Sequence, residues 1–276
     1  VRLDAGAGQG RAFMALDLAM ARLQEAAREL GLERAGVDSW QLNEGQLAAG
    51  VAILSGTDRF LNIQGVAGAG KSTLLGALDK VLGAEGVKLI GLAFQNKMVA
   101  DLRGGASGTM SVEQMKEAGI EAWTIAGFIN KHGSAAAQGS GERFAASKAA
   151  LSNTVIITDE SSMVSSRDML RLTAIAEQLD VAKAPFMGDR QQLSAIEQGK
   201  MFAVSQAAGQ ATVRMDENIR QRNSPLLLAV AGLSNEGHAS LALDLLAAHG
   251  RVIEAGQHHV ARAAELWLSL SPEKRE

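Results

Sequence analysis

No cysteine occurs among the 276 residues, which excludes disulfides and thiolate metal sites and fits a reducing, cytoplasmic setting. Proline is nearly as scarce, at three residues, and one of them, Pro272, lies in the polar tail. No apolar run approaches the roughly 18 residues that a membrane-crossing helix needs. The opening residues, Val1-Arg2-Leu3-Asp4, have neither a signal-peptide layout nor an initiator methionine, so the chain reads as a piece of a longer protein. There is no internal repeat. The formal net charge of −3 argues against binding to nucleic acid through a broad basic surface. It leaves open a narrow groove of backbone amides, hydroxyls and a few cations. The hydrophobic fraction of 47% is ordinary for a globular protein, and the length suits one large domain or one with an appendage.

Residues 12–34 carry Leu16, Met20, Leu23, Ala27 and Leu30 at helical spacing, which predicts an amphipathic packing helix closed by Gly31 and Gly36. From residue 40 onward, short apolar runs alternate with helical patterns. Strands are expected at 59–64, 87–93, 154–158, 182–187 and 250–254. Helices are expected at 43–55, 71–83, 95–103, 124–131, 165–178, 197–208 and 224–247. Alternation of this kind predicts an α/β fold with a mostly parallel sheet covered on both faces. The Gly/Ser-rich segment 133–148 and the segment 104–118 read as loops or surface insertions.

The chemistry begins at Gly65-Val66-Ala67-Gly68-Ala69-Gly70-Lys71-Ser72, which fits G-x-x-x-x-G-K-[ST] between an apolar strand and a helix. Glycines there let successive N–H groups turn inward onto phosphate oxygens, and the helix N-terminus adds positive potential. Gly65, Gly68, Gly70, Lys71, Ser72 and Thr73 are thus candidate ATP-binding residues, with Lys71 on the β- and γ-phosphates and Ser72 on Mg²⁺. A second apolar strand runs from Val155 into Asp159-Glu160. Asp159 is the candidate metal-side carboxylate, and Glu160 is placed to orient or deprotonate a water. The run Pro185-Phe186-Met187-Gly188-Asp189-Arg190-Gln191-Gln192-Leu193 repeats the strand-to-carboxylate pattern. Asp189 is suited to holding a water or Lys71, and Gln192 to touching the γ-phosphate. Arg220 and Arg222 follow Asp216-Glu217 and are candidates to neutralise a transferring phosphoryl group. Ion pairing with those two acids is the competing reading. The histidines, His132, His238, His249, His258 and His259, read as surface or packing residues.

The order of these elements resembles the first motor domain of superfamily 1 DNA helicases. The match is narrower with the RecD-like branch, and in detail with the helicase region of TraI/TrwC-type conjugative relaxase-helicases, over about residues 38–275. Leu42-Asn43-Glu44-Gly45-Gln46 stands where that branch has its adenine-reading glutamine, here Gln46. Gly91-Leu92-Ala93-Phe94-Gln95-Asn96-Lys97 and Trp123-Thr124-Ile125-Ala126-Gly127-Phe128 stand where it has two DNA-contact motifs. The resemblance implies a RecA-like P-loop domain over 38–276, an N-terminal helical segment over 1–37, and ATP with Mg²⁺ as cofactors. It implies single-stranded DNA as partner, with contacts from Phe94, Gln95, Asn96, Lys97 and Thr124, and 5′→3′ travel in the intact protein. It also implies a second RecA-like domain beyond the end of this chain, without which hydrolysis is expected to be poor, and secretion or relaxosome components as further partners. The first DNA-contact motif usually carries Pro-Thr where this chain has Phe94-Gln95. Stacking of Phe94 on a base and packing of Phe94 in the sheet are both open. Three function classes follow: a conjugative helicase motor; a degenerate copy that grips single-stranded DNA or presents a secretion signal; and another P-loop enzyme. No guanine-reading Asn/Thr-Lys-x-Asp motif supports a GTPase, and the Gly-Asp-x-x-Gln-Leu element favours the helicase over a small-molecule kinase.

Overall fold

The computed structural model describes residues 7–66, 68–93, 120–191 and 200–271. Six strands form one sheet: β1 (Asn62–Gly65), β2 (Lys88–Ala93), β3 (Glu121–Thr124), β4 (Thr154–Thr158), β5 (Phe186–Gly188) and β6 (Thr212–Met215). Their order is β3-β2-β4-β5-β1-β6, and every pairing is parallel. Asn62 of β1 stands opposite Phe186 on one side and Thr212 on the other. Two helices precede the sheet, α1 (Leu16–Ala35) and α2 (Glu44–Ser55), and others connect its strands: α3 (Lys71–Ala84), α4 (Ile125–Gln138), α5 (Glu142–Leu151), α6 (Ser166–Gln178) and α7 (Met201–Ala207).

Side-chain alternation along the strands builds two cores. Val155 and Ile157 of β4 join a cluster with Leu23 of α1, Ile53 of α2 and Leu74 and Leu78 of α3. Ile156, between them, joins Phe128 of α4, Met169 and Leu172 of α6 and Phe202 of α7 on the opposite face. A sheet buried on both faces needs strands apolar on both faces, and β4 supplies one in Thr154-Val-Ile-Ile-Thr158, buried throughout. Because all strands run the same way, their C-terminal ends share one edge of the sheet, where an open α/β sheet places its ligands.

Several expectations are corrected. Residues 133–148 are largely helical: α4 runs through Gly133 to Gln138, and α5 follows after a turn with Gly139 at φ 66° and Gly141 at φ 89°. Burial of Ala135 and Ala136 and the helix propensity of the alanines outweigh the glycines. The strand expected at 250–254 is absent; Ile253 is exposed. The helix expected over 224–247 is two, α8 (Pro225–Asn235) and α9 (Ala239–Ala248), broken where Gly237 takes φ 86°. A last helix, α10, spans His259–Ser269. The helix expected at 95–103 and the loop at 104–118 lie outside the described residues.

The chain divides into two compact units, Val1–Arg220 and Gln221–Glu276. Helix α1 contributes Ala19, Leu23, Ala26, Ala27 and Leu30 to the first core cluster. No helix among the described residues is long and apolar enough to cross a membrane.

Candidate functional site

The C-terminal edge gathers most of the candidate residues. Strand β1 ends at Gly65, and a Cβ there would lie 3.3 Å from the Lys71 side chain. Gly68 and Gly70 take φ 81° and 74°, a region that L side chains rarely adopt. Gly70 is the N-cap of α3, so Lys71, Ser72 and Thr73 occupy its first turn, where the N–H groups of Lys71 and Ser72 precede any acceptor in the helix and that of Thr73 donates to the Gly70 carbonyl at 3.1 Å. The carbonyl of Gly68 accepts from the backbone N–H of Ile219 (2.9 Å) and of Arg220 (3.2 Å). That pair fastens the segment after β6 to the phosphate loop and brings the backbone of Arg220 to it, with the residue itself exposed.

Two strands away, β4 delivers Asp159 and Glu160. Asp159 Oδ1 accepts from the Glu160 N–H at 2.8 Å. Burial pushes the Asp159 carboxyl above its ordinary value, Lys71 pulls it back, and Glu160 pushes it up further. A carboxylate in that setting gains most from a cation beside it. Glu160 has φ 48° and ψ 44°, an uncommon conformation for a side chain of this length. Its Oε1 lies 3.3 Å from Lys71 Nζ. Between β4 and β1 runs β5. A Cβ on its Gly188 would meet the backbone nitrogens of Ser161 and Ser162 at 2.9 and 3.1 Å, so glycine is required for β5 to pass under the turn after Glu160. The donor set fits a magnesium nucleotide: a left-handed glycine loop, an ammonium, a hydroxyl from Ser72 and a buried carboxylate from Asp159.

Gln46 is 1% exposed and committed on both ends of its carboxamide. Its Oε1 accepts from Asn43 N at 2.9 Å, completing a capping box with Asn43 at the start of α2, and its Nε2 donates to the Gly70 carbonyl at 2.9 Å. The cap is worth about 1 kcal/mol to α2. Gln46 therefore touches the phosphate loop directly. Asn43 Nδ2 in turn donates to Glu217 at 2.7 Å.

Thr124 ends β3 and caps α4, its Oγ1 accepting from Gly127 N at 3.1 Å. A Cβ on Gly127 would meet that oxygen at 2.9 Å, which accounts for the glycine. Thr124 lies on the same sheet edge as the phosphate loop, four strand spacings away, or about 19 Å at ~4.8 Å each. It thus belongs to a separate place on that edge. Phe94, Gln95, Asn96, Lys97 and Gln192 lie outside the described residues.

The sequence reading missed a buried polar layer behind the site. Asn62 and Gln64 alternate with Ile63 on β1, so both face the side of α7. Asn62 Nδ2 donates to Ser205 Oγ at 3.1 Å. Gln64 Nε2 donates to Asp189 Oδ1 at 2.8 Å, and Gln64 Oε1 accepts from Arg190 N and Gln206 Nε2, both at 3.2 Å. Two polar residues at alternate positions of an otherwise apolar strand were the available signal.

A family model described as an AAA domain matches residues 41–257. The multifunctional conjugation protein TraI of Escherichia coli strain K12 is 33% identical over 199 residues, 71% of this chain and 10% of that protein. A probable conjugal transfer protein TraA of Sinorhizobium fredii is 27% identical over 256 residues, 92% of this chain and 20% of that protein. The chain thus spans a tenth to a fifth of the length of these relatives. Among solved structures, the Pif1 helicase of Candida albicans superposes with a TM-score of 0.51 at 20% identity, covering 78% of this chain and 49% of that one. At that identity the likeness is one of fold.

Proposed function

The chain belongs to the AAA domain family and is a TraI-type, RecD-like helicase domain with the RecA-like P-loop fold, and from that premise we propose that it is the ATP-binding motor domain of a conjugative-transfer DNA helicase. The observation that carries this reading is the meeting of the Gly68–Ser72 loop with Lys71, Asp159 and Glu160 on one sheet edge. In it, residues 38–276 form the first motor domain and residues 1–37 brace it.

ATP, held with Mg²⁺, supplies a γ-phosphoryl group for transfer to water. The N–H groups at the start of α3 and the Lys71 ammonium would bind the phosphates, and Ser72 with Asp159 would hold the cation. Lys71 leaves Glu160 to do so, which frees the Glu160 carboxylate to orient the attacking water and take its proton. Gln192 contacts the γ-phosphate, and Arg220 offsets charge as the phosphoryl group transfers. Gln46 holds the loop and borders the base. Phe94, Gln95, Asn96 and Lys97 contact single-stranded DNA together with Thr124, which lies on another part of the same edge, and the intact protein travels 5′→3′. Nucleotide drives such travel only by favouring one arrangement of the motor over another, so the binding step comes first.

The test is binding of a fluorescent ATP analogue with Mg²⁺ to this chain and to Lys71→Ala. Saturable binding lost in the variant supports the motor. Equal binding by both, or none by either alongside tight single-stranded DNA binding, supports instead a degenerate copy that serves DNA or secretion-signal recognition.

A further inference from the structure

Buried side-chain amides are kept where every donor and acceptor is matched, and Gln64 is such a group. At 2% exposure it reaches Asp189, itself 1% exposed, and it also meets the backbone N–H of Arg190 and the side chain of Gln206. These partners come from different elements. Asp189 and Arg190 open the turn after β5, and Gln206 lies on α7. Gln64 itself lies one residue before Gly65, where the phosphate loop begins.

The position of that turn gives the bond its meaning. β5 lies between β4, which delivers Asp159 and Glu160, and β1, which delivers the phosphate loop. Gly188 abuts the backbone at Ser161 and Ser162, just past Glu160. Asp189 Oδ1 also accepts from Gln191 N at 3.0 Å, so one carboxylate shapes the turn and receives Gln64. The turn therefore stands next to the end of the loop where Lys71 meets Glu160, the end at which a γ-phosphate would sit.

We propose that Gln64 is a positioning residue that ties the Asp189–Gln191 turn to the strand feeding the phosphate loop, and so sets the preference of the site for a nucleotide with a γ-phosphate over ADP. This rests on the nucleotide-binding reading above. Gln64 acts through Asp189, and the α- and β-phosphate contacts do not depend on it. The neighbouring Asn62–Ser205 pair ties α7 to the same strand independently, so loss of the Gln64 amide leaves the layer partly intact.

The experiment compares affinities for AMP-PNP and for ADP, each with Mg²⁺, in the wild-type chain, Gln64→Met, Gln206→Met and Gln64→Glu. Gln64→Met should lose about tenfold in preference for AMP-PNP, the effect of one buried hydrogen bond to a charged group, with ADP affinity unchanged. Gln206→Met, which spares the bond to Asp189, should keep the preference. Gln64→Glu keeps a donor only while its carboxyl is protonated, so relative to wild type its preference should return as pH is lowered and fall as pH is raised. The inference is overturned if Gln64→Met keeps the preference or loses both nucleotides equally. It is also overturned if Gln206→Met matches it, or if the Gln64→Glu preference is flat in pH. If Gln64→Met does not fold, the Gln64→Glu pH response decides. A wild-type chain that binds neither nucleotide overturns the reading of the site and this inference with it.

Discussion

The two edges of the sheet hold the same kinds of groups and use them differently. At the N-terminal edge, Arg59 and Lys183 are buried cations. Arg59 donates to Asp180 at 2.8 Å and to the carbonyls of Gln9, Ala176 and Glu177. Lys183 donates to the carbonyls of Gly56 and Ala52 as α2 ends. At the C-terminal edge, Lys71 meets Glu160 at 3.3 Å beside the buried Asp159. Among the described residues, each edge also has one left-handed residue other than glycine, Asp180 at φ 56° and Glu160 at φ 48°. Asp180 follows the C-cap of α6, where that conformation commonly closes a helix, and its side chain pairs with Arg59. Glu160 follows a strand and closes no helix. Cations spread over several carbonyls and an ordinary cap mark an edge that holds the fold together. Sparse pairing and an unrelieved backbone mark an edge arranged for a ligand.

The sharpest way to break this contrast is to remove one cation from each edge. Arg59→Leu removes the hydrogen bonds of a buried cation to Asp180 and to the Gln9, Ala176 and Glu177 carbonyls, the last two of which keep backbone donors in Val181 and Asp180, and should cost about 2 kcal/mol, seen as a lower Tm, with nucleotide affinity at 25 °C unchanged in the folded fraction. Lys71→Ala should do the reverse, losing roughly a hundredfold in nucleotide affinity, or about 2.7 kcal/mol, with Tm nearly unmoved. A Tm drop for Lys71→Ala as large as for Arg59→Leu would erase the distinction.

Lys183 supplies a test by pH. Burial lowers its pKa from 10.5 to about 8 in the folded chain. Between those values the unfolded chain holds a proton that the folded chain does not, so stability rises with pH across that window. Below about 8 the full cost of the buried charge is present. Unfolding midpoints in urea at several pH values should therefore show a rise in the wild type that Lys183→Met lacks.

A smaller effect separates two roles for Gln46. With its carboxamide held by Asn43 and Gly70, Gln46→Ala should weaken ATP and GTP by the same factor, about threefold to tenfold. Selective loss of ATP would return it to reading the base. The smallest effect concerns the two left-handed residues. Asn tolerates that conformation, so Glu160→Asn should raise stability by about 0.5 kcal/mol. Asp180→Asn, which forfeits the charge opposite Arg59, should not.

What could be read from the sequence follows burial. β2 and β4, apolar on both faces inside the sheet, were found to within a residue. β3 and β6 were not, because each is an edge strand of four residues with an exposed or half-exposed side: Glu121-Ala-Trp-Thr124 and Thr212-Val-Arg-Met215. The phosphate loop and the Asp159-Glu160 pair were legible because their chemistry fixes residue types at fixed spacings. Gln64 was not, since its partners Asp189 and Gln206 lie far along the chain and only folding brings them together. Gln46 is a candidate from its place before the loop, but its bond to Gly70 needed the structure.

The strand order also sets a timetable for assembly. β1 appears early in the chain, yet both of its neighbours, β5 and β6, are among the last strands made. The phosphate loop therefore leaves synthesis attached to a strand with no sheet partner, while β2 and β4 lie beside each other and can pair first. Closing such long loops before any pairing is gained makes folding slow, and an unpaired strand edge in the interval invites association with other chains. Nucleotide competence should be the last property acquired in refolding, trailing the helical signal, because the strand that carries the loop is the last of the inner strands to be enclosed.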